Sequence, residues 1–377
     1  MARRTRTLSD VEKSFSPSDL EIAAAVCDFF CQGLTPSEIR QEIATKFQRE
    51  LSREQPYQLL TLAASKGWFK FMPPLEYSLG EQIRETHPWL SGVEVVQATT
   101  LDQIATRAAR TLFELIRKKA HAKPEQPVHV GLAGGWTVLR IAKEFGALLR
   151  KPTDDFPKQL VFHSMVTGLQ LHDPRTDPNT FYSHLSDELE RKRDPEKPDT
   201  WPRVDIDFVA LSAPATSSKI DEVSGQERGE YPEDDPCREA FERKHEIDII
   251  ITSGSSWTDS DHSQLKQVMS DRDKVRCEEL VEDGCVADML WQPLTKSRPI
   301  PNNAKVRPVT LLDLEEIPEV IRKGTDVLLA LGPCGHCRTP REDVLDTVLN
   351  LDEKIITHLV VDSRSADLQA KQMAKAS

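Results

Sequence analysis

At 377 residues the chain is too long for one small core and fits about two domains of roughly 100–200 residues each. With 38% hydrophobic and 29% charged residues it can bury a core and is not disordered by composition. The net charge of −12 is unevenly spread: residues 1–75 hold 10 Lys+Arg against 9 Asp+Glu and the remainder 39 against 52, which excludes a tight, salt-driven DNA contact anywhere but the first segment.

No apolar run approaches the roughly 18 residues of a membrane span, so no membrane partner is expected. Met1-Ala2-Arg3-Arg4-Thr5-Arg6 is basic but has no apolar stretch behind it, so it reads as no signal peptide and points to the cytoplasm. Seven cysteines, an odd number, fit reduced thiols better than paired ones.

In chain order, residues 18–72 read as helices. Asp19–Phe30 places Leu20, Ile22, Ala23, Val26 and Phe30 on one face, and Gly33 ends it. Thr35-Pro36-Ser37-Glu38 spells an N-cap, a proline at the first helical position and a capping box, opening a helix that turns Ile39, Ile43 and Phe47 inward. A third helix runs from about Ser52 to Ser65 with Leu59, Leu60, Leu62 and Ala63 as its core face. Trp68–Met72 then reads as a wing strand, so the whole has the pattern of a winged helix-turn-helix. Lys46, Arg49, Ser52 and Arg53 are the expected DNA-backbone contacts, and Gln55, Tyr57 and Gln58 the residues that face base edges; a solvated face of a dimerisation module is the competing reading.

Pro73-Pro74 breaks the chain and Tyr77–Glu85 reads as a connecting helix. From Val93 the pattern alternates. Val93–Gln97, Val128–Ala133, Leu160–Thr167, Val204–Leu211, Ile247–Thr252, Val327–Leu331 and Ile355–Val361 are short buried strands. Thr99–Lys119, Thr137–Leu149, Thr180–Arg191, Ser263–Asp271 and Arg341–Leu349 are helical. The alternation predicts an α/β fold, a doubly wound, mostly parallel sheet. The expected divisions are 1–75, a linker helix at 76–92, and 93–377. Residues 221–246 hold 10 acids against 4 bases and read as a solvated excursion.

Ligand chemistry is expected where strands end. Gly131-Leu132-Ala133-Gly134-Gly135-Trp136-Thr137 passes from strand to helix. Its N–H groups and the helix start form an anion cradle at Gly134, Gly135 and Thr137, or else a bare tight turn. It lacks both the Gly-x-Gly-x-x-Gly and the P-loop pattern, so no nucleotide cofactor is expected. Thr167-Gly168, Gly254-Ser255 and Gly332 stand at equivalent strand ends. Arg338 or Arg341 can pair a phosphate, and Arg338 joins the expected set. Asp288 is either a hydroxyl acceptor, a former catalytic acid, or a capping aspartate. No general acid and base pair at reliable spacing, so no turnover and no metal are expected. Cys334-Gly335-His336-Cys337 has the spacing of a redox dithiol, which leaves a thiol sensor as an alternative reading.

The motifs in this order resemble those of the SorC-type sugar-binding transcriptional regulators. Phe29-Phe30-Cys31-Gln32-Gly33-Leu34-Thr35-Pro36-Ser37-Glu38-Ile39 is similar to that family's opening, and Leu51–Leu60 with Ala63–Trp68 to its recognition helix and wing. Gly131–Thr137 is similar to its ligand turn, Ile247–Ser256 to a second strand and loop, Gly284-Cys285-Val286-Ala287-Asp288 to a third motif, and Val360-Val361-Asp362 with Ala366 to its close. The resemblance departs at Pro56, which stands at N4 if Ser52 is the N-cap and deletes one helical hydrogen bond. It departs again at Gly332–Arg338. It implies a sugar-phosphate isomerase-like domain turned effector sensor. The expected partners are operator DNA, a small phosphorylated sugar, and further copies of the chain in a dimer or tetramer. The alternative from another class is a sugar-phosphate isomerase or deaminase with an N-terminal interaction module.

Overall fold

The computed structural model describes residues 17–31, 33–65, 72–149, 156–167, 174–190, 204–211, 237–257, 263–300 and 308–376. The chain divides into two compact units, Met1–Met72 and Pro73–Ser377.

The first unit packs three helices, α1 (Pro17–Cys31), α2 (Pro36–Phe47) and α3 (Gln55–Ser65), around Ile22, Val26, Phe29, Ile39, Ile43, Leu59 and Leu62. The α2 start is as its sequence predicts: Glu38 N–H donates to Thr35 Oγ1 (3.4 Å) and Thr35 N–H to Glu38 Oε2 (2.7 Å). Two aromatic residues fall elsewhere than expected. Phe29, not Phe30, faces the core, and Phe47 at the last turn of α2 is 37% exposed. The start of α3 also differs. Ser52 is not its cap; the Gln55 side chain folds back to accept the Ser52 N–H (2.6 Å), and the helix begins at Gln55. Pro56 therefore stands at the second helical position, where no intrahelical donor is required, and the expected lost bond does not arise. The expected wing at Trp68–Met72 lies, but for Met72, outside the described residues.

The second unit opens with α4 (Tyr77–Thr86). Expected to be a linker, α4 instead buries Ile83 in the α/β core, and the chain before it is tied to the first strand by Glu76 N–H donating to Val95 O (2.8 Å). The chain continues through β1 (Gly92–Val96), α5 (Leu101–Ala122), β2 (Val128–Leu132), α6 (Trp136–Leu148), β3 (Gln159–Ser164), β4 (Val166–Thr167), α7 (Tyr182–Glu190), β5 (Asp205–Val209), α8 (Arg238–Arg243), β6 (Ile249–Thr252) and β7 (Gly254–Ser256). It then forms α9 (Gln264–Arg272), α10 (Lys274–Glu282), β8 (Ala287–Met289), β9 (Gln292–Leu294), β10 (Val309–Thr310), α11 (Ile317–Arg322), β11 (Asp326–Leu331), α12 (Glu342–Asn350), β12 (His358–Asp362) and α13 (Ser363–Ala376).

Seven strands form one sheet in the order β1-β12-β11-β6-β2-β3-β5, with every pair parallel. Strands buried on both faces are read as unbroken apolar runs, as in Ile249-Ile250-Ile251. From β2 the chain winds outward through β3 and β5; from β6 it winds the other way through β11 and β12. The reversal lies between β2 and β6, and ligands in open α/β sheets bind beyond the carboxyl ends of strands at such a point. The run Leu160–Thr167, expected as one strand, breaks at Met165 into β3 and β4, and β4 pairs antiparallel with β10; the three-stranded antiparallel β7–β8–β9 was not expected. The end of the acidic stretch is not solvated as expected, since Cys237 and Ala240 are buried; 212–236 lie outside the described residues.

Candidate functional site

Four strand ends meet the carboxyl edge beside the reversal, and they differ in what fills the space above them. After β2, Ala133 N–H donates to Ile251 O (3.0 Å) and Gly135 N–H to Thr176 O (2.8 Å), which pins the turn. A Cβ on Gly134 would stand 2.6 Å from Trp291 Cη2, so the absent side chain makes room for the buried Trp291 ring. Gly135 is the opposite case. Its φ of +104° suits glycine, and a Cβ there would meet nothing within 4 Å. Gly135 is also the N-cap of α6, with no side-chain capping bond. The next residue, Trp136, is 38% exposed and carries the Arg175 and Arg140 guanidinium groups at 5.1 and 5.7 Å from its ring centroid. Thr137 is buried behind it. Trp136 and Arg175 were not in the expected set. The signal for Trp136 was its place at the mouth of the turn; Arg175 had none, because it comes from a short 3-10 turn at Pro174–Thr176.

The remaining expected residues are more enclosed. Thr167 is buried, and its Oγ1 donates to Asp177 Oδ2 (3.1 Å); Gly168 lies outside the described residues. Gly254 lets α12 approach, since a Cβ would stand 2.6 Å from Val344 Cγ1, and Gly332 admits Leu101 and Ile104 of α5 at 2.9 Å. Ser255 is half-buried opposite Asp288 in the β7–β8 pairing. Asp288 is 2% exposed, and its Oδ2 accepts from Trp257 Nε1 (2.9 Å) and Ser263 Oγ (2.6 Å). Burial pushes its pKa up to about 6, against the lowering pull of those two bonds and of the Arg341 charge. Through Ser263, whose Oγ accepts the Lys266 N–H (3.1 Å), Asp288 anchors the start of α9.

The two arginines differ in setting. Arg338 is exposed and occupies a left-handed turn position with φ of 60°, whereas Arg341 is half-buried and its Nη1 donates to Gly254 O. The Arg341 backbone N–H donates to Ser365 Oγ (2.9 Å), and Ser365 Oγ donates to Asp362 Oδ2 (2.6 Å). Asp362 Oδ1 accepts the Ser365 N–H (2.9 Å), so the closing Asp362 motif caps α13 and fixes Arg341.

One group of ligand-type atoms converges among the described residues: His129 Nδ1 lies 2.9 Å from His163 Nε2 and 3.3 Å from Glu246 Oε2. Glu246 Oε2 also accepts from Arg243 Nε (3.0 Å), so a cation already balances this carboxylate. Burial, then the neighbouring His129 and Arg243, lowers the His163 pKa to about 3, and burial lowers that of His129 against the pull of Glu246 and Asp248. The group reads as a buried hydrogen-bonded chain beneath α8.

In the helical unit, the expected contacts separate in the same way. Arg49 is ion-paired to the buried Asp19, Lys46 to Glu42 (3.2 Å) while lying over the Phe29 ring, and Gln55 is spent on Ser52. Ser52, Arg53 and Tyr57 are exposed and Gln58 half-buried.

No protein-family model matches the chain and no curated protein matches it. Solved structures do. The full-length sorbitol operon regulator SorC from Klebsiella pneumoniae superposes with a TM-score of 0.62 over 93% of this chain and 98% of its own, at 12% identity. The fold is that of the SorC regulators. A probable sor operon regulator from Shigella flexneri matches 78% of this chain and 98% of its own (TM-score 0.55, 14% identity), and a DeoR family transcriptional regulator from Listeria monocytogenes matches the same shares (0.52, 18%). The span shared with full-length SorC is longer than the α/β unit alone, so the SorC fold here includes both the all-α first unit and the parallel sheet. Among the described residues, no helix is long and apolar enough to cross a membrane.

Proposed function

We propose that this chain is an oligomeric transcription regulator whose helical unit binds operator DNA and whose α/β unit binds a small anionic effector, a phosphorylated sugar or a related metabolite. The observation that carries the reading is the open end of α6 at the sheet's reversal point, in a chain that shares its fold with full-length SorC. The first N–H groups of an uncapped helix favour an anion. The exposed face of Trp136 suits a sugar ring, and Arg175 supplies a charge for phosphate oxygens. Gly135, Trp136, Thr137 and Ser255 form the proposed lining, with Arg341 behind it; Asp288, Gly254 and Gly332 hold the surrounding elements. The buried, internally bonded Asp288 favours no catalytic role. On the DNA side Ser52 and Arg53 contact phosphates while Tyr57 and Gln58 face the bases, and the effector acts by biasing how the helical units of an oligomer are spaced.

The test uses the full chain on a pool of random duplexes at low salt, then repeats the selected binding with a panel of sugar phosphates and their neutral sugars. The expected result is retained DNA whose affinity changes with a phosphorylated sugar and not with its neutral counterpart. Arg53→Ala is expected to weaken binding to all sequences and reduce the salt slope by about 1. Failure to retain any duplex at low salt overturns the regulator reading; a response to neutral sugars alone overturns the anionic effector.

A further inference from the structure

The loop after β11 carries two thiols in a single turn. Arg338 N–H donates to Cys334 O (2.9 Å), closing a turn over Cys334-Gly335-His336-Cys337, and Cys334 N–H donates to Thr339 O (2.9 Å). Cys334 is buried, at 6% exposure, and Cys337 is exposed, with its Sγ 2.9 Å from Thr339 Oγ1. Residues i and i+3 of one turn have Cα atoms within roughly 7 Å, inside the range a disulfide spans. The other cysteines whose side chains are described lie elsewhere: Cys237, Cys277 and Cys285 are buried and Cys27 is half-buried in α1.

We propose that Cys334 and Cys337 form a redox-active dithiol that reduces a small hydroperoxide, with Cys334 as the attacking sulfur and Cys337 as the resolving one. Burial by itself raises the Cys334 pKa, but the Cys337 and His336 N–H groups, the Cys337 thiol and the Arg341 charge outweigh it and hold the thiol below its ordinary value. The Cys334 thiolate attacks one oxygen of hydrogen peroxide. A sulfur–oxygen bond forms, the oxygen–oxygen bond breaks, and the departing hydroxide takes a proton to become water. The Cys337 sulfur, having lost its proton, then attacks the sulfenic sulfur of Cys334. The sulfur–sulfur bond forms, the sulfur–oxygen bond breaks, and a second water leaves. The two thiols have lost two electrons and two protons, and one peroxide has become two waters; an external dithiol reverses the change. The inference stands apart from the regulator reading, since it uses only this loop.

The full-length protein is treated with hydrogen peroxide, alkylated and digested, and the peptide holding both cysteines is weighed. The expected result is loss of both alkylatable thiols and of two hydrogens, restored by dithiothreitol. In Cys337→Ser, whose side chain is exposed, the sulfenic acid at Cys334 persists and is captured by dimedone. In Cys334→Ser, Cys337 captures little dimedone. Retention of both thiols in the wild type, equal dimedone capture by the two variants, or protection of both thiols by a bound metal that a chelator removes each overturns the proposal. Circular dichroism of both variants checks that each is folded.

Discussion

After β2 the chain turns through Gly134 and Gly135 into α6, and after β6 and β11 it passes Gly254 and Gly332 along the same edge of the sheet. On the second side each glycine is a slot for a neighbour: Val344 enters above Gly254, and Leu101 and Ile104 above Gly332. On the first side the two adjacent glycines part company, Gly134 lying under Trp291 while Gly135 faces open space. A glycine at a strand end thus records a missing side chain, and only the packing around it decides whether protein or ligand takes the room. The edge is sealed toward β11 and open at the head of α6.

The largest effect that can test this contrast is on the sealed side. Asp288→Ala removes the acceptor of two buried donors, Trp257 Nε1 and Ser263 Oγ, and is expected to cost about 3 kcal/mol in urea unfolding. A cost near zero would show that Asp288 is held for something other than structure. Next, Gly134→Ala drives a methyl group into an aromatic ring and is expected to cost about 2 kcal/mol. Gly135→Ala meets only the strain of its positive φ, about 1–3 kcal/mol. It also places a methyl group in the proposed effector space, so thermal-shift titration should show weaker stabilisation by sugar phosphates. Adding Trp291→Ala should make Gly134→Ala nearly neutral while leaving the Gly135→Ala cost unchanged, as measured by a double-mutant cycle.

The remaining test is of pH dependence, which no single substitution on the edge probes. His163, held neutral to about pH 3 in the fold, is protonated in the unfolded chain below about 6.5. Its contribution is fully present above that value and lost as pH falls toward 3, at up to about 1.4 kcal/mol per pH unit for one proton. Asp288 runs the other way: its folded pKa near 6 adds stability below its unfolded value of 3.8, and that is lost as pH rises through 6. His87, His129 and His358, also lowered chiefly by burial, act in the sense of His163. Wild-type stability is therefore expected to fall between pH 6.5 and 5, and His163→Phe to flatten that fall; an unchanged slope in the variant would remove His163 as its source.

The parts of this molecule legible in the sequence are those whose causes are local. The Thr35–Glu38 box needs only four residues, and buried parallel strands need only an apolar run. Pro56 was placed two positions too far into its helix because the Gln55 side chain, not Ser52, sets the start. The ribbon β7–β8–β9 is composed of residues such as Gly254, Ser255, Asp288 and Pro293, which carry no strand signal and pair only once distant segments meet. The surroundings of the candidate site were legible only in part for the same reason. The glycine turn could be found, but Trp291 above Gly134 comes from far along the chain, and the different settings of Arg338 and Arg341 rest on a turn whose left-handed residue is not a glycine.

Trp291 also bears on how the chain folds. It and Leu290 form the two-residue bend between β8 and β9, with φ of 55° and 52°, values that side chains other than glycine adopt at a cost. The bend has the two positive φ values of a primed hairpin turn, whose twist matches the paired strands and offsets part of that cost. Once β2 and α6 are in place, the ring finds the bare backbone of Gly134 and the bend becomes tolerable. The hairpin and the glycine turn are thus complementary surfaces, so that a change in either one is felt by the other across more than 150 residues of chain.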